Sequence, residues 1–436
     1  MPGSEGAAID LDSTGGDDDA ADDTANAGMA SMVRDGSGGD GTRLRVSIDV
    51  SAVPERPGGA GRYVLSLVAA LAARGDLDLY ALCRRGDASR WQAIVPGERI
   101  VEVVPASRPL RLAWEQTRMA GLLSRLSVDV HHSPHYTMPP RSRVPVVVTI
   151  HDLTFFEHPE WHRPLKAAFF RRATARAVQR ASALVCVSDR TAAKLGTRFA
   201  PRGQVFVAPH GIDRRLFGQV SPDSGSDDEI LARLGVKGPY LLFVGTIEPR
   251  KAVPVLIGAF DRLAPAAADL TLVIAGGMGW DAAAVKSALA SSPNAGRIVL
   301  TGFVEDREVA ALMRSASACI YPAREEGFGM PVLEALSCGT PVVTTTATPA
   351  ADLARGAVWV VGGDGGDDSA KGGDAGNADT AVPDPAALAA TVRRVLDDDE
   401  ERSGRCARGL SLASGWTWEA SAAIHMEAYR SAQRGG

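Results

Sequence analysis

The chain has 436 residues, of which 45% are hydrophobic and 23% charged, and its formal net charge is −5. This length suits two domains, each large enough to bury a core. No run of eighteen apolar residues is present, so a membrane-spanning helix is excluded. The five cysteines lack the paired spacing of a zinc site or a disulfide framework, and the start lacks the basic and apolar regions of a secretory signal. We therefore expect a cytoplasmic protein with reduced thiols.

Two segments account for the acidic balance. Residues 1–43 hold ten acidic side chains against two arginines, and residues 362–379 hold five aspartates and one lysine. Both segments lack the apolar side chains that offset the entropy of ordering, so we predict a disordered tail and a low-complexity insert. The remaining chain is mildly basic. That charge permits an anionic ligand or a membrane surface but requires neither.

The N-terminal half, predicted as one domain over residues 44–217, begins with a strand in which Leu44, Val46, Ile48 and Val50 alternate with polar residues. A glycine-rich turn and a helix follow this strand. Further short β-branched runs then alternate with helical stretches, which is typical of parallel βαβ units.

A polar linker is predicted over residues 218–238, and the pattern then restarts. Six strand-like runs with helical spacers indicate a second domain, the C-terminal half, over residues 239–412. Residues 413–436 are predicted to form a final amphipathic helix and tail. The fold class is therefore α/β, with two Rossmann-like, doubly wound domains. Such sheets bind ligands outside the carboxyl ends of their strands.

The segment "EGFGMPVLE", residues 326–334, carries two glutamates around a glycine-rich turn. A helix is predicted to begin at Pro331 and end at Gly339, so the preceding amides would face an anion at its N-terminus. A carboxylate suits sugar hydroxyls, and we predict that Glu334 holds a ribose while Glu326 reaches a sugar further along the same ligand. Alternatively, both acids complement the helix dipole. The amides that would face the anion belong to Gly327, Phe328, Gly329 and Met330.

Arg250 and Lys251 follow the first strand of the C-terminal half, at the same predicted sheet edge. Adjacent cations there would neutralise a diphosphate leaving group without Mg²⁺. A solvated basic loop is the alternative. The string Asp76-Leu77-Asp78 matches a metal-binding pattern, but it enters a strand in the other half, so we expect no metal and no other cofactor.

These motifs together resemble a known family. The spaced glutamates, "GTIEPRK", "TGFV", "PGGAGRY" and "WTW" are similar to retaining glycosyltransferases of family 4, which have the GT-B fold. The resemblance spans residues 44–430, and "TIHDL" and "VSD" favour a subgroup of bacterial mannosyltransferases. It implies two domains facing across a cleft, an N-terminal acceptor domain, a C-terminal donor domain and a final helix that crosses back to the N-terminal domain.

The resemblance also implies residue roles. His151 and Glu326 would be catalytic, Arg250 and Lys251 would contact the donor diphosphate, and Glu334 would hold the ribose. The remaining donor-binding positions would be Gly59, Val304, Gly327, Phe328, Gly329 and Met330.

Three further histidines, His131, His132 and His135, precede His151 and are rivals for its role. Clustered histidines suggest a metal, but no cysteine or carboxylate joins them at ligand spacing.

The implied reaction transfers a hexose, with mannose from GDP-mannose expected, to a glycan or lipid-linked glycan in surface polysaccharide or lipopolysaccharide biosynthesis, with retention of configuration. Alternatives are a sugar-nucleotide epimerase of the same architecture and a non-catalytic partner subunit. Two arginine-rich helical stretches, residues 107–126 and 161–181, either lie on the inner face of the cytoplasmic membrane or are solvated basic faces. No nucleic-acid partner is expected.

Overall fold

The computed structural model describes residues 43–219, 226–361 and 383–435. The predicted disorder of the acidic tail and of the 362–379 insert lies outside the described residues, except for Arg43. Seven strands form the first sheet: β1 (Leu44–Asp49), β2 (Leu77–Arg84), β3 (Ile100–Val104), β4 (Val130–Ser133), β5 (Val146–Ile150), β6 (Ala183–Cys186) and β7 (Gln204–Val207). Six form the second: β8 (Tyr240–Val244), β9 (Thr271–Ala275), β10 (Ile298–Gly302), β11 (Ala318–Tyr321), β12 (Val342–Thr344) and β13 (Trp359–Val360).

The helices of the N-terminal half are α1 (Gly59–Ala72), α2 (Ala88–Gln92), α3 (Arg108–Thr117), α4 (Met119–Leu126), α5 (Thr154–Glu157), α6 (Pro164–Arg180) and α7 (Asp189–Arg198). The remaining helices are α8 (Ser226–Arg233), α9 (Val253–Leu263), α10 (Ala282–Ser291), α11 (Asp306–Ser315), α12 (Met330–Ser337), α13 (Pro349–Leu353), α14 (Pro385–Asp397), α15 (Asp399–Ala413) and α16 (Trp418–Arg434). Single 3₁₀ turns lie at Gly97–Arg99, Pro159–Trp161, Pro249–Lys251, Ala264–Ala266 and Ala295–Arg297.

Both sheets are parallel and doubly wound. The first has the order β3-β2-β1-β4-β5-β6-β7 and the second β10-β9-β8-β11-β12-β13. The chain reverses its direction of winding beside β1 and again beside β8, so each sheet has a topological switch point next to a central strand. All five residues of β8 are buried, as expected for a parallel strand covered by helices on both faces.

The final helix, α16, packs on the N-terminal half. Trp418, Met426 and Tyr429 belong to the core that covers the first sheet. The chain crosses between halves where the amide of Ile212 donates to the carbonyl of Trp416 at 3.0 Å. The side chain of Thr417 caps the helix by accepting a hydrogen bond from the amide of Ala420. The expected pair of doubly wound halves and the crossing helix are therefore confirmed.

The predicted linker contains helix α8. Its Ile230 is buried, and Arg314 of α11 forms an ion pair with Asp227 at 2.6 Å. This helix therefore packs on the C-terminal half.

The expectations about membrane-spanning helices and about the cysteines can both be checked against the described residues. Within them, no helix is long and apolar enough to cross a bilayer. All five cysteines are free thiols, four of them buried.

Candidate active site

A cleft of about 930 Å³ lies between the two halves, at the carboxyl ends of the strands that flank both switch points. Turns after β1, β4 and β5 form one wall, and turns after β8, β9 and β11 form the other. Ten predicted site residues line this cleft: Gly59, His151, Arg250, Lys251, Val304, Glu326, Gly327, Phe328, Gly329 and Met330. The topology therefore brings together side chains that are far apart in sequence.

Arg250 and Lys251 lie on the 3₁₀ turn after β8, and the carboxylate of Glu326 contacts both cations. Arg250 also pairs with Glu248 at 2.8 Å. Lys251 contacts the hydroxyl of Tyr321 and is only 6% exposed, so its ammonium is held at the cleft wall. A diphosphate bound here would compete with Glu326 for both cations.

Burial and the neighbouring Arg250 lower the pKa of Lys251. An anion in contact with this side chain stabilises its charged form. The pair can therefore stabilise negative charge that develops on a departing phosphate.

The glycine-rich turn reaches across the cleft. Gly329 has φ +102°, in the left-handed region, and a Cβ there would meet Thr348 at 2.5 Å. A Cβ on Gly327 would lie 1.9 Å from the carbonyl oxygen of His151 in the opposite half. The carbonyl of Gly327 accepts a hydrogen bond from the hydroxyl of Ser188 at 2.8 Å. Glycine is thus required at position 327 because the two halves touch there.

The backbone amides of residues 327–330 donate to no other group among the described residues. Helix α12 begins at Met330, so these four amides lie at its N-terminus. Such free amides at a helix N-terminus are suited to binding an anion. Gly339 follows the helix with φ +78°, as predicted for its C-terminal end.

His151 lies at the end of β5 with its Nε2–H donating to the carbonyl of Pro134 at 2.8 Å. The ring of Tyr63 packs edge-on against it, with 5.0 Å between ring centroids. Burial lowers the pKa of His151, so its imidazole is neutral near pH 7. The hydrogen bond to Pro134 fixes the orientation of the ring in the cleft wall.

Glu334 lies on the second turn of α12, behind the large cleft and outside its lining. It is 4% exposed, and both of its oxygens accept from Arg62 of α1 in the other half. Arg62 also pairs with Asp306 at 3.3 Å. Burial raises the pKa of Glu334, and the guanidinium of Arg62 opposes that shift. The contacts in this structure thus give Glu334 a role in joining the two halves.

Two of the histidines before His151 have structural partners. His131 bonds to the hydroxyl of Ser47 at 2.9 Å, and His132 bonds to Thr149 at 2.8 Å. Burial lowers the pKa of His131 to about 3, so this ring stays neutral. Within the described residues, no group of three or more histidine, cysteine or carboxylate side chains could hold a metal ion.

Comparisons with known proteins now identify the family. Residues 57–216 match a family model described as Glycosyltransferase Family 4. Residues 238–398 match a model described as Glycosyl transferases group 1. The chain belongs to glycosyltransferase family 4.

This transferase is 27% identical over 341 residues to O-antigen chain mannosyltransferase B of Escherichia coli, covering 76% of this chain and 80% of that protein. It superimposes on sucrose-phosphate synthase from Thermosynechococcus elongatus with a TM-score of 0.68 at 18% identity, covering 89% and 98% of the two chains. Anabaena HepE, solved in complex with UDP-glucose, gives a TM-score of 0.66 at 18% identity, covering 88% and 99%. The expected GT-B fold is confirmed.

Three further residues line the cleft of the transferase without a role predicted from the sequence: Arg62, Glu115 and His210. Arg62 lies inside the quoted "PGGAGRY" motif, three residues after Gly59, so a charged side chain on the first turn of α1 was an available signal. His210 packs edge-on against Phe328, with 4.6 Å between centroids, and supports the glycine-rich turn from the opposite half. Nothing local distinguishes Glu115 from the surface acids of other helices.

Proposed function

We propose that this glycosyltransferase moves a hexose, mannose in particular, from a nucleotide-diphosphate sugar to a glycan or lipid-linked glycan with retention of configuration, in O-antigen-type surface polysaccharide biosynthesis. The observation that carries the proposal is the convergence of Arg250, Lys251 and the free amides of residues 327–330 in one cleft. The choice of mannose is supported by the Escherichia coli relative, an O-antigen chain mannosyltransferase, and GDP-mannose is the donor we propose for it. HepE, which shares the fold, was solved with a nucleotide sugar.

In the proposed reaction, the bond between the anomeric carbon and the diphosphate oxygen breaks, and its electron pair leaves with the nucleoside diphosphate. Arg250, Lys251 and the amides of the glycine-rich turn stabilise that charge, so no metal ion is needed. The acceptor hydroxyl oxygen forms the new bond to the anomeric carbon. Its proton passes to the departing diphosphate.

Glu326 and His151 face the space where the transferred sugar would lie, from opposite halves. The Glu326 carboxylate would exchange its contact with the two cations for sugar hydroxyls when the diphosphate binds. The neutral imidazole of His151 would contact the sugar from the acceptor side. Val304, 7% exposed, would border the base, and Gly59 would let α1 approach the phosphates.

The proposal includes peripheral contact with an anionic membrane surface. Leu165 and Phe169 on α6 are 88% and 40% exposed, and Leu110 on α3 is 61% exposed. Exposed arginines, including Arg163 and Arg172, lie beside them. Exposed apolar side chains among cations favour the interface of an anionic bilayer.

A donor screen tests the function. Purified protein would be incubated with GDP-mannose, GDP-fucose, UDP-glucose, UDP-galactose and UDP-N-acetylglucosamine, with and without a lipid-linked glycan mixture, and the released nucleoside diphosphate would be measured. We expect GDP-mannose to be consumed fastest, with the rate increased by acceptor. Preferential use of another sugar would replace mannose in the proposal, whereas no turnover of any donor would contradict transferase activity.

A further inference from the structure

The N-terminal wall of the cleft contains polar atoms without partners. Glu115 of α3 is 4% exposed, and its Oε2 accepts from the hydroxyl of Thr137 at 2.9 Å. Its Oε1 has no hydrogen-bond partner among the described residues, and neither has the buried Nε2 of His135 after β4. Both side chains line the cleft. Buried polar atoms are rarely left unpaired, because each costs free energy unless a ligand or water satisfies it.

The same wall carries three cations that have no ion-pair partner among the described residues. Arg108 and Arg111 of α3 and Lys166 of α6 line the cleft, and none forms an ion pair within the described part of the chain. Arg111 donates to the carbonyl of Ser51 at 3.0 Å. Lys166 lies 5.4 Å from the ring centroid of Trp280.

Arg108 lies close enough to repel both of its cationic neighbours. Burial and then the charge of Arg108 lower the pKa of Lys166, and Glu248 and Asp152 partly oppose them. Burial lowers the pKa of Arg111, Asp49 opposes that shift, and Arg108 adds to it. The opposite wall differs, because Arg250 and Lys251 both contact Glu326. Three cations without an ion pair in the described structure, two of them repelled by Arg108, point to an anionic ligand in the cleft.

We propose that this wall is an acceptor subsite for a hexose that carries a phosphate or diphosphate ester. Glu115 Oε1 and His135 Nε2 bind hydroxyls of the hexose, and Arg108, Arg111 and Lys166 hold the phosphoryl oxygens. The inference rests on the proposed function, because that function places the donor on the opposite wall.

The chemistry of each group suits this assignment. Burial, followed by the charge of Asp49, raises the pKa of Glu115 to about 8, so its carboxyl is protonated near pH 7 and can donate to a sugar oxygen. A single carboxylate on the acceptor would engage one arginine fork. Three cations match the greater charge and the larger number of oxygens of a phosphate ester.

Direct binding tests the subsite without requiring turnover. Calorimetry would compare hexyl diphosphate esters of mannose, glucose and galactose with the matched neutral hexyl glycosides. Wild type would be measured beside Arg108→Gln, Glu115→Gln and Lys251→Ala, with Arg172→Gln as control. Arg172 is exposed on α6 and lies outside the cleft.

For at least one hexose we expect wild type to bind the diphosphate ester about tenfold or more tightly than the neutral glycoside, the scale of one charged hydrogen bond. Arg108→Gln should lose most of that preference, while Lys251→Ala and Arg172→Gln should keep it. Glu115→Gln should weaken both forms by a similar factor. Because Arg108 is exposed, its substitution should leave the melting temperature unchanged, which separates lost binding from lost folding.

Equal affinity for charged and neutral forms of all three hexoses would overturn the subsite. Loss of the preference in Lys251→Ala, with retention in Arg108→Gln, would place the phosphate on the donor wall and overturn it also. A phospholipid is the other source of phosphate. If the protein sediments with phosphatidylglycerol vesicles only when Arg108 is present, and shows no preference for sugar diphosphates, that result would assign these cations to a membrane surface and overturn the subsite. If no donor is turned over in the donor screen but calorimetry shows the expected preference for the diphosphate ester, the transferase proposal is contradicted and the binding site for the phosphorylated hexose is not.

Discussion

The ion pair between Arg62 and Glu334 gives the sharpest test of how the two halves are joined. Replacing Arg62 with Met keeps much of the side-chain volume but leaves the carboxylate of Glu334, which is 4% exposed, without its cation. Breaking a buried pair by removing one partner costs roughly 3–5 kcal/mol, mainly because the remaining charge is stranded. Arg62→Met also removes the exposed ion pair with Asp306 and the cation–π contact with the ring of Phe217, and losing both should add about 1 kcal/mol to this cost. We therefore expect Arg62→Met to lower the free energy of unfolding by about 5 kcal/mol.

Urea unfolding at pH 7 and 25 °C, followed by circular dichroism, measures this loss. The double variant Arg62→Met/Glu334→Leu removes both charges and should recover most of the stability lost in Arg62→Met. Arg74→Met is the control, because Arg74 pairs with Asp76 at the surface and its loss should cost about 1 kcal/mol or less. A cost of that small size for Arg62→Met, or simple addition of the two single effects, would refute the assignment of a buried pair.

Three other predictions concern the turn and the core. Gly327→Ala should reduce transfer at least about tenfold and enlarge the radius of gyration in X-ray scattering, because its Cβ would meet the His151 carbonyl in the opposite half. Glu326→Gln should lower kcat at saturating donor because its carboxylate lines the cleft, whereas Glu334→Gln, outside that lining, should lower kcat less, as steady-state kinetics would show. Burial lowers the pKa of His425 to about 4 from its ordinary value of 6.5, so the unfolded state binds a proton first as the pH falls. Stability from this residue is present above pH 6.5 and lost toward pH 4, and His425→Gln should reduce the slope of unfolding free energy by about 1.4 kcal/mol per pH unit in that window.

Controls and contrary results follow from the same residues. Gly404→Ala in α15 should leave transfer unchanged, since a Cβ there meets no atom within 4 Å. Normal transfer by Gly327→Ala would contradict the close approach. Identical kinetic changes in the two glutamate variants would contradict their division of roles. An unchanged slope in His425→Gln would show that this ring titrates equally in the folded and unfolded states.

Much of the fold was predictable because its signals are local. The apolar run of β8, residues 240–244, is typical of a buried parallel strand, and Arg250 and Lys251 follow it where ligands bind in such sheets. The helix inside the predicted linker was missed although its signals were present. Three acidic residues stand in its first turn and Arg233 in its last, the distribution that the helix dipole favours.

The parts of the site that sequence could not supply depend on contacts between halves. Arg62 and Glu334 are 272 positions apart, so neither shows in the sequence that it has a partner. The turn at Gly327 looked like a ligand cradle, while the structure adds a second reason for glycine, the carbonyl of His151. Glu115 required the packing of α3 against the loop after β4, which sets both its burial and its contact with Thr137.

The rate of GDP-mannose turnover by Lys251→Ala, compared with wild type at saturating donor, tests the central claim most directly. Lys237→Ala is the control, because Lys237 is exposed and lies outside the cleft. Removing one donor to a developing anion costs roughly 3–4 kcal/mol, so we expect kcat to fall by about 10²–10³-fold. Because Arg250 still pairs with Glu326, the variant should remain folded, as its melting transition would show. A Lys251→Ala variant that turns over GDP-mannose as fast as wild type would contradict the placement of the donor diphosphate at this turn.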